Sequence, residues 1–338
     1  MNRAGFHRPG RARAGAVLAC LAALNVSVQP AGRDPDERGA SNGPAPRSLR
    51  SSPQGRTPAF VELIQLYAYD RLAPLDLREE GVREKSGVVI RDVSYASPKG
   101  GRVPAYLIVP PGPGPFAGIV FMHPAGGANR THFRDEAVEL AKFGAVCITI
   151  DAPNVRPPAH PLFRFTAVDR DEIVHAAVDL RRAVDLLGSR PGVDTNRLAY
   201  VGFSYGATLG GILSGVEKRF RGLVLMSGGA TLTSYLRGLV NPEERVRQDR
   251  KFDDYLEVMR TIDPEHYVSH ASPAALLFQN GRRDSNVADA ERYHQVATEP
   301  KTIKWYDAGH DLNAEARHDR AVWLGKLLTL QPPPPPGG

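Results

Sequence analysis

Two cysteines, Cys20 and Cys147, are all that the 338 residues contain, and that shortage excludes a disulfide-stapled scaffold. If the N-terminal segment carrying Cys20 is removed, Cys147 has no partner in the chain. It lies in the apolar run Ala145–Ile150 and reads as an inert, buried strand residue. Long apolar runs are missing too. The strongest, Ala14 to Leu24, falls short of the roughly 20 residues a membrane helix needs, so no stable membrane insertion is expected. The scattered histidines show no His-Glu-x-x-His or comparable spacing, so neither a metal nor another cofactor is implied. Charge is scarce where it would matter for nucleic acid. The formal charge of +6 comes from the first 58 residues, with nine Arg against three acids, whereas the remaining 34 basic and 34 acidic residues cancel. No basic face for nucleic acid follows from that balance. No internal repeat is visible.

What is present begins with an address. Arg3, Arg8, Arg11 and Arg13 precede the apolar run from Ala14, the order of a secretory signal. Residues 1–30 are read as a candidate signal peptide, giving a periplasmic or secreted protein; the alternative is a cytoplasmic protein with an unstructured start. Residues 31–58, rich in Pro, Gly, Ser and Arg, are expected to be a disordered linker. The run Pro332 to Pro336 makes 331–338 a solvated tail. Between them, 59–330 is long enough for one large domain, and the 42% hydrophobic, 24% charged composition of the whole chain is that of an ordinary globular protein.

Strand-like and helix-like segments alternate from about residue 88. Val88 to Tyr95 and Val103 to Val109 form an antiparallel pair around the turn Ser97-Pro98-Lys99-Gly100-Gly101. Ala117 to Met122 reads as a buried central strand, then a helix over about Thr131–Phe143 and the strand holding Cys147, which ends at Asp151. Asp169 to Leu187 is the clearest helix, with Ile173, Ala177, Leu180, Val184 and Leu187 on one face and Asp169 with Glu172 as its expected capping box. Leu223 to Met226, Ala274 to Phe278 and Thr302 to Trp305 read as later strands, and Ala314 to Leu328 as a closing helix. This alternation predicts an α/β fold with a doubly wound, mostly parallel sheet. Residues 231–270, charged and helical, are expected to form a helical lid insertion.

The most informative segment is Gly202-Phe203-Ser204-Tyr205-Gly206, between the strand-like Arg197–Val201 and the helix-like Ala207–Leu213. A serine at such a corner is strained and presents its hydroxyl clear of the sheet. That hydroxyl is a weak nucleophile unless a base and an orienting acid assist it. Asp284 follows a later strand and the turn Gln279-Asn280-Gly281-Arg282-Arg283, and His310 follows the last strand through Tyr306-Asp307-Ala308-Gly309. Serine, acid and histidine thus arrive in the order this architecture requires, each after its own strand. Asp307 and Asp311 are rivals for the acid, but they sit so close to His310 in sequence that they are assigned to shaping its loop. His294 and His318, within helix-like segments, are the weaker candidates for the base. For the oxyanion hole, the expected donors are the amide of Tyr205 and one from His123-Pro124-Ala125-Gly126-Gly127. Pro124 has no N–H, which leaves Ala125 first and Gly126 second.

These four motifs make the chain resemble the α/β-hydrolase superfamily over about residues 85–330, and within it the serine esterases related to dienelactone hydrolases and acetyl xylan esterases. The resemblance implies ester hydrolysis through an acyl-enzyme on Ser204, with a small-molecule ester of small or medium acyl size as substrate. Typical dienelactone hydrolases carry a cysteine where this chain has Ser204, and Pro124 departs from the common His-Gly pattern. A prolyl oligopeptidase-like serine peptidase is the alternative, although such enzymes carry a propeller where this chain has about 85 residues before its first strand. A non-catalytic binding protein on the same fold is a third reading, weakened by the intact triad.

Residues expected against the substrate are His123, Phe163, Phe165 and Tyr235, with Phe252 and Tyr255 as further aromatic candidates in the insertion. His123 is also expected to hold the oxyanion loop by hydrogen bonding. Arg282 and Arg283, beside the acid, are read as solvated or ion-paired, with attraction of an anionic substrate as the alternative.

Overall fold

A computed structural model describes residues 58–239 and 242–330, with side chains of 242–250 excepted. The candidate export signal, the linker up to residue 57 and the tail 331–338 lie outside the described residues.

A short helix, α1 (Phe60–Leu63), precedes the strands β1 (Arg78–Lys85), β2 (Val88–Ala96) and β3 (Arg102–Val109). There follow β4 (Phe116–Met122), α2 (Arg134–Ala141), β5 (Ala145–Ile150), α3 (Val168–Gly188), β6 (Val193–Phe203), α4 (Tyr205–Val216) and β7 (Phe220–Met226). Three helices, α5 (Leu232–Leu239), α6 (Pro242–Arg260) and α7 (Glu265–Val268), separate β7 from β8 (Ala275–Gly281). The last elements are α8 (Val287–Val296), β9 (Lys301–Tyr306) and α9 (Ala314–Leu328).

All nine strands described belong to one sheet, in the order β1-β2-β3-β5-β4-β6-β7-β8-β9. The first three are antiparallel, β3 meets β5 antiparallel, and every pair from β5 to β9 is parallel. The parallel centre is buried on both faces, which is why β4 and β5 read as continuous apolar runs instead of alternating ones. One apolar layer, beneath α3, α4, α7 and α8, includes Ile173, Leu180, Val184, Leu209, Leu213 and Tyr293. The opposite layer, beneath α2 and α9, includes Val138, Cys147, Val201, Val224, Leu324 and Leu328. Helices on both faces make the sheet doubly wound, as the alternation predicted.

Three expectations need correction. Strand β1 was not legible, because every residue of its sequence Arg-Glu-Glu-Gly-Val-Arg-Glu-Lys is exposed. It is an edge strand held by its ladder to β2, with no apolar face to reveal it. The helix expected over Thr131–Phe143 is shorter, running from Arg134 to Ala141. The capping box of α3 does not form. Its N-cap position is Ala167, and the buried Asp169 carboxylate instead reaches back to accept from the amides of Arg164 (3.0 Å) and Phe165 (2.8 Å) and from the Tyr255 hydroxyl (2.9 Å). With the Thr166 amide as a fourth donor (3.4 Å), the carboxylate ties the preceding loop and α6 to the start of the helix.

Candidate active site

Ser204 stands between β6 and α4 with φ 53° and ψ −107°, in a region that costs a non-glycine residue on the order of 1–3 kcal/mol. The surroundings hold it there. Its amide donates to the Met226 carbonyl (2.8 Å) and its own carbonyl accepts from the Thr208 amide (3.0 Å). Only glycine fits on either side: a methyl on Gly202 would collide with the Gly206 carbonyl, and one on Gly206 with the Met122 carbonyl. The helix therefore passes so close to β4 and β6 that the turn between them is forced to be sharp.

The Ser204 hydroxyl lies 2.9 Å from Nε2 of His310, and Nδ1 of that ring lies 2.8 Å from Oδ2 of Asp284. Asp284 comes from the loop after β8 and His310 from the loop after β9. Those loops touch through backbone, since a side chain on Gly281 would strike the carbonyls of Ala308 and Gly309. Ser227, just after β7, donates its hydroxyl to the His310 carbonyl (2.7 Å) and its amide to the Gln279 carbonyl in β8 (2.8 Å), tying its own loop and the His310 loop to that strand. The hydrogen bond that His310 donates to Asp284 holds the His310 pKa above the usual histidine value, against the opposing effect of burial. Burial pushes Asp284 up, but the hydrogen bond and charge of His310 outweigh it and leave the carboxyl below its usual range. An acid kept ionised beside a ring whose proton affinity is raised is the arrangement a serine general base needs.

These three side chains open onto a cavity of about 380 Å³. Ala125 lines it beside Ser204 and Tyr205, while Gly126 lies outside the lining. The Tyr205 amide is at the first position of α4, where no intrahelical acceptor exists. Leu162 and Phe163, from the loop after β5, and Leu232, Tyr235 and Leu239, from α5, form an apolar wall. Thr208, Thr231, Asn286 and Asp289 add polar residues to the lining.

Of the side chains expected against substrate, Phe163 and Tyr235 reach this cavity, with ring centroids 6.4 Å apart. Phe165 does not. Its backbone, at φ 57°, is turned by the bond to Asp169, and its ring packs on Phe252 and Tyr255. Those two aromatics, buried in α6, are likewise outside the lining. His123 is a second correction. It is 3% exposed and absent from the cavity wall. Its Nε2 accepts from the Ala152 amide (3.1 Å), so Nδ1 carries the proton and meets the Pro124 carbonyl at 2.7 Å. Burial lowers its pKa and favours this neutral form. Arg283 pairs with Asp307, in keeping with the ion-paired reading.

Two carboxylates that sequence reasoning missed hold the start of α5. Asp289 accepts from the Thr231 hydroxyl (2.9 Å) and amide (3.3 Å), and burial raises its pKa. Asp263 accepts from the Thr233 amide (2.9 Å) and hydroxyl (2.7 Å), and burial pushes its pKa up to about 7. Neither has a local motif, since each partner lies 30 or more residues away. Asp263, Glu265 and His266 are the one group of metal-ligand type among the described residues, but Asp263 is taken by Thr233 and Glu265 by Arg292.

Comparison with known proteins agrees with this architecture. Residues 164–314 match the prolyl oligopeptidase family, which spans the segment containing Ser204, Asp284 and His310. Among solved structures, acetyl xylan esterase 1 from Thermoanaerobacterium sp. JW/SL YS485 is similar at a TM-score of 0.66 and 19% identity, over 81% of this chain and 96% of that one. An acetyl xylan esterase from Paenibacillus sp. R4 gives 0.64 and 18%, over 79% and 92%. A glucuronoyl esterase from Solibacter usitatus gives 0.54 and 13%, over 79% and 91%. No curated protein matches by sequence. At such identities the likeness shows the fold alone: the chain has the α/β-hydrolase fold.

Proposed function

We propose that the protein is a serine hydrolase that cleaves carboxylic esters of small or medium acyl size through an acyl-enzyme on Ser204. The observation that carries this reading is the continuous hydrogen-bonded relay Ser204–His310–Asp284 opening onto a cavity of about 380 Å³. Pockets that hold small molecules run from about 300 to 1,000 Å³, so this one is at the small end.

The chemistry follows from the geometry. As the Ser204 oxygen bonds to the ester carbonyl carbon, its proton passes to Nε2 of His310 and the carbonyl electrons move onto oxygen. The amides of Tyr205 and Ala125 receive that oxyanion. Collapse of the tetrahedral adduct breaks the bond to the leaving alcohol, which takes the proton from His310. Water then repeats the sequence, releasing the carboxylic acid and restoring Ser204. Asp284 holds the imidazole in the required tautomer and stabilises the imidazolium that forms twice per cycle. Phe163, Leu232 and Tyr235 wall the space left for the substrate.

Turnover of p-nitrophenyl acetate by wild type and Ser204→Ala tests this. The variant is expected to lose activity by about 10⁴-fold or more. Equal rates in the two proteins, or no hydrolysis of any short ester by wild type, overturn the reading.

The match to the prolyl oligopeptidase family over residues 164–314 favours a second reading, in which the same relay cleaves a prolyl or acyl-peptide amide. Faster cleavage of such a peptide than of any ester selects it over the first.

A further inference from the structure

The loop from His123 to Arg130 carries the proposed second oxyanion donor, yet Ala125, Gly126 and Gly127 are all exposed. Something other than burial must fix the direction of an amide on such a segment. Both ends of the loop are fastened to one place, the dipeptide Asp151-Ala152 at the carboxyl end of β5. At the near end, the ring of His123 accepts from the Ala152 amide while its other nitrogen donates to the Pro124 carbonyl. At the far end, the Asp151 carboxylate accepts from the Arg130 amide through Oδ1 (2.7 Å) and from the Arg130 guanidinium through Oδ2 (2.8 Å). That guanidinium also reaches both oxygens of Asp92 on β2 (3.1 and 3.3 Å) and stacks over the Tyr106 ring on β3, 4.8 Å from its centroid.

The dipeptide is itself anchored. Arg156 donates twice to the Asp151 carbonyl (3.1 and 2.7 Å) and once to the Asp179 carboxylate (2.6 Å), which is fully buried in α3. Asp151 and Arg130 are 10% and 20% exposed, so water does little to weaken their pairing. Neither residue is among the lining of the cavity. Their contacts therefore act through the loop and not on a bound molecule.

We propose that Asp151 and Arg130 are positioning residues for the oxyanion hole: their two-point bond stretches the 123–130 loop between fixed ends and aims the Ala125 amide at the oxygen that Ser204 attack would create. This rests on the ester-hydrolase reading above. An oxyanion donor is felt in the transition state far more than in the ground state, so loosening the loop lowers kcat and leaves KM alone. A merely structural pair would lower the folded fraction and leave each folded molecule's rate unchanged.

The test uses the full chain with Asp151→Asn, Arg130→Lys and both together, counting active sites by fluorophosphonate titration. For p-nitrophenyl acetate, kcat per titrated site is expected to fall about 10- to 100-fold in Asp151→Asn, short of the loss of a whole donor, with KM within about twofold. Inhibition by phenylboronic acid, which forms a tetrahedral adduct on the serine, should weaken in proportion. Arg130→Lys, the milder change, should show a loss of about 3- to 10-fold with the same split between kcat and KM. The double variant should lose less than the product of the two single losses, since both substitutions weaken the same Asp151–Arg130 pairing. Unchanged kcat per site and unchanged boronate affinity in an active, folded variant overturn the positioning role while leaving the esterase reading intact. A wild type that neither hydrolyses esters nor reacts with the fluorophosphonate overturns both.

Discussion

The loops that bear Ser204, Asp284 and His310 and the segments that wall the cavity are held in contrasting ways. The first are short and locked by backbone against backbone, at Gly206 beside Met122 and at Gly281 beside Ala308 and Gly309. The second are long, and side chains fasten them: Asp289 to Thr231, Asp263 to Thr233, Asp169 to Phe165. A backbone collision permits one geometry and admits no substitute residue. A carboxylate clamp allows the helix it holds to be moved, loosened or redrawn while the relay stays in place. On the proposed function, the chemistry would reside on the rigid half and the selection of substrate on the adjustable half.

Changes that break the rigid half should cost most. Asp284→Asn is expected to lower kcat for p-nitrophenyl acetate by on the order of 10²–10⁴. Because the bond to Asp284 is what raises the His310 pKa, its loss should move the acidic limb of the kcat/KM profile to lower pH. In wild type, activity requires neutral His310 and should rise with pH through an apparent pKa above the ordinary histidine value. A limb that stays put in the variant contradicts the assignment of Asp284. Next in size is Gly206→Ala, which must push α4 off the Met122 carbonyl. A displacement of that kind should cost about 10²-fold in kcat and about 1–3 kcal/mol of stability, readable together from kinetics and a denaturant melt.

The adjustable half should respond in kind, not in magnitude. Tyr235→Ala enlarges the apolar wall. It is expected to raise the ratio of kcat/KM for p-nitrophenyl butyrate over acetate by about 3- to 10-fold, the scale of one or two methylenes in a pocket, with the acetate rate little changed. A ratio that does not move places the acyl group elsewhere. The smallest effect belongs to Asp263. Its folded pKa of about 7 lies above the usual carboxyl value, so the folded protein holds a proton there that the unfolded chain has released. That contribution is present at low pH and is lost as pH rises towards and through about 7. Asp263→Asn should therefore gain Tm relative to wild type as pH is raised from 4 to 8, measured as the difference between two melting series.

The same division explains what could be read from the chain before its structure. Gly202–Gly206, Asp284 after its glycine turn and His310 after the last strand are signals contained within a few residues. Their order along the chain follows from the strands of a doubly wound sheet. Central strands such as Ala145–Ile150 were legible because burial on both faces makes them apolar throughout. Strand β1 was not, since nothing in its composition separates an exposed edge strand from a charged loop. Phe165 and, as a substrate contact, His123 were misread because their directions depend on distant partners, Asp169 with the α6 aromatics in one case and Ala152 in the other, whereas the expected hold of His123 on its loop is present. Asp151, Arg130, Asp263 and Asp289 carry no motif at all. Their meaning appears only when segments tens of residues apart are brought into contact.

His310 is 45% exposed at its side chain although it sits at the centre of the relay. On the proposed acyl-enzyme reading, an acyl group on Ser204 would be open to hydroxyl compounds that diffuse to that exposed side as well as to water. Partition between acceptors would follow their concentrations: an alcohol added at molar levels should divert acyl groups into a new ester and leave total turnover of the p-nitrophenyl ester undiminished.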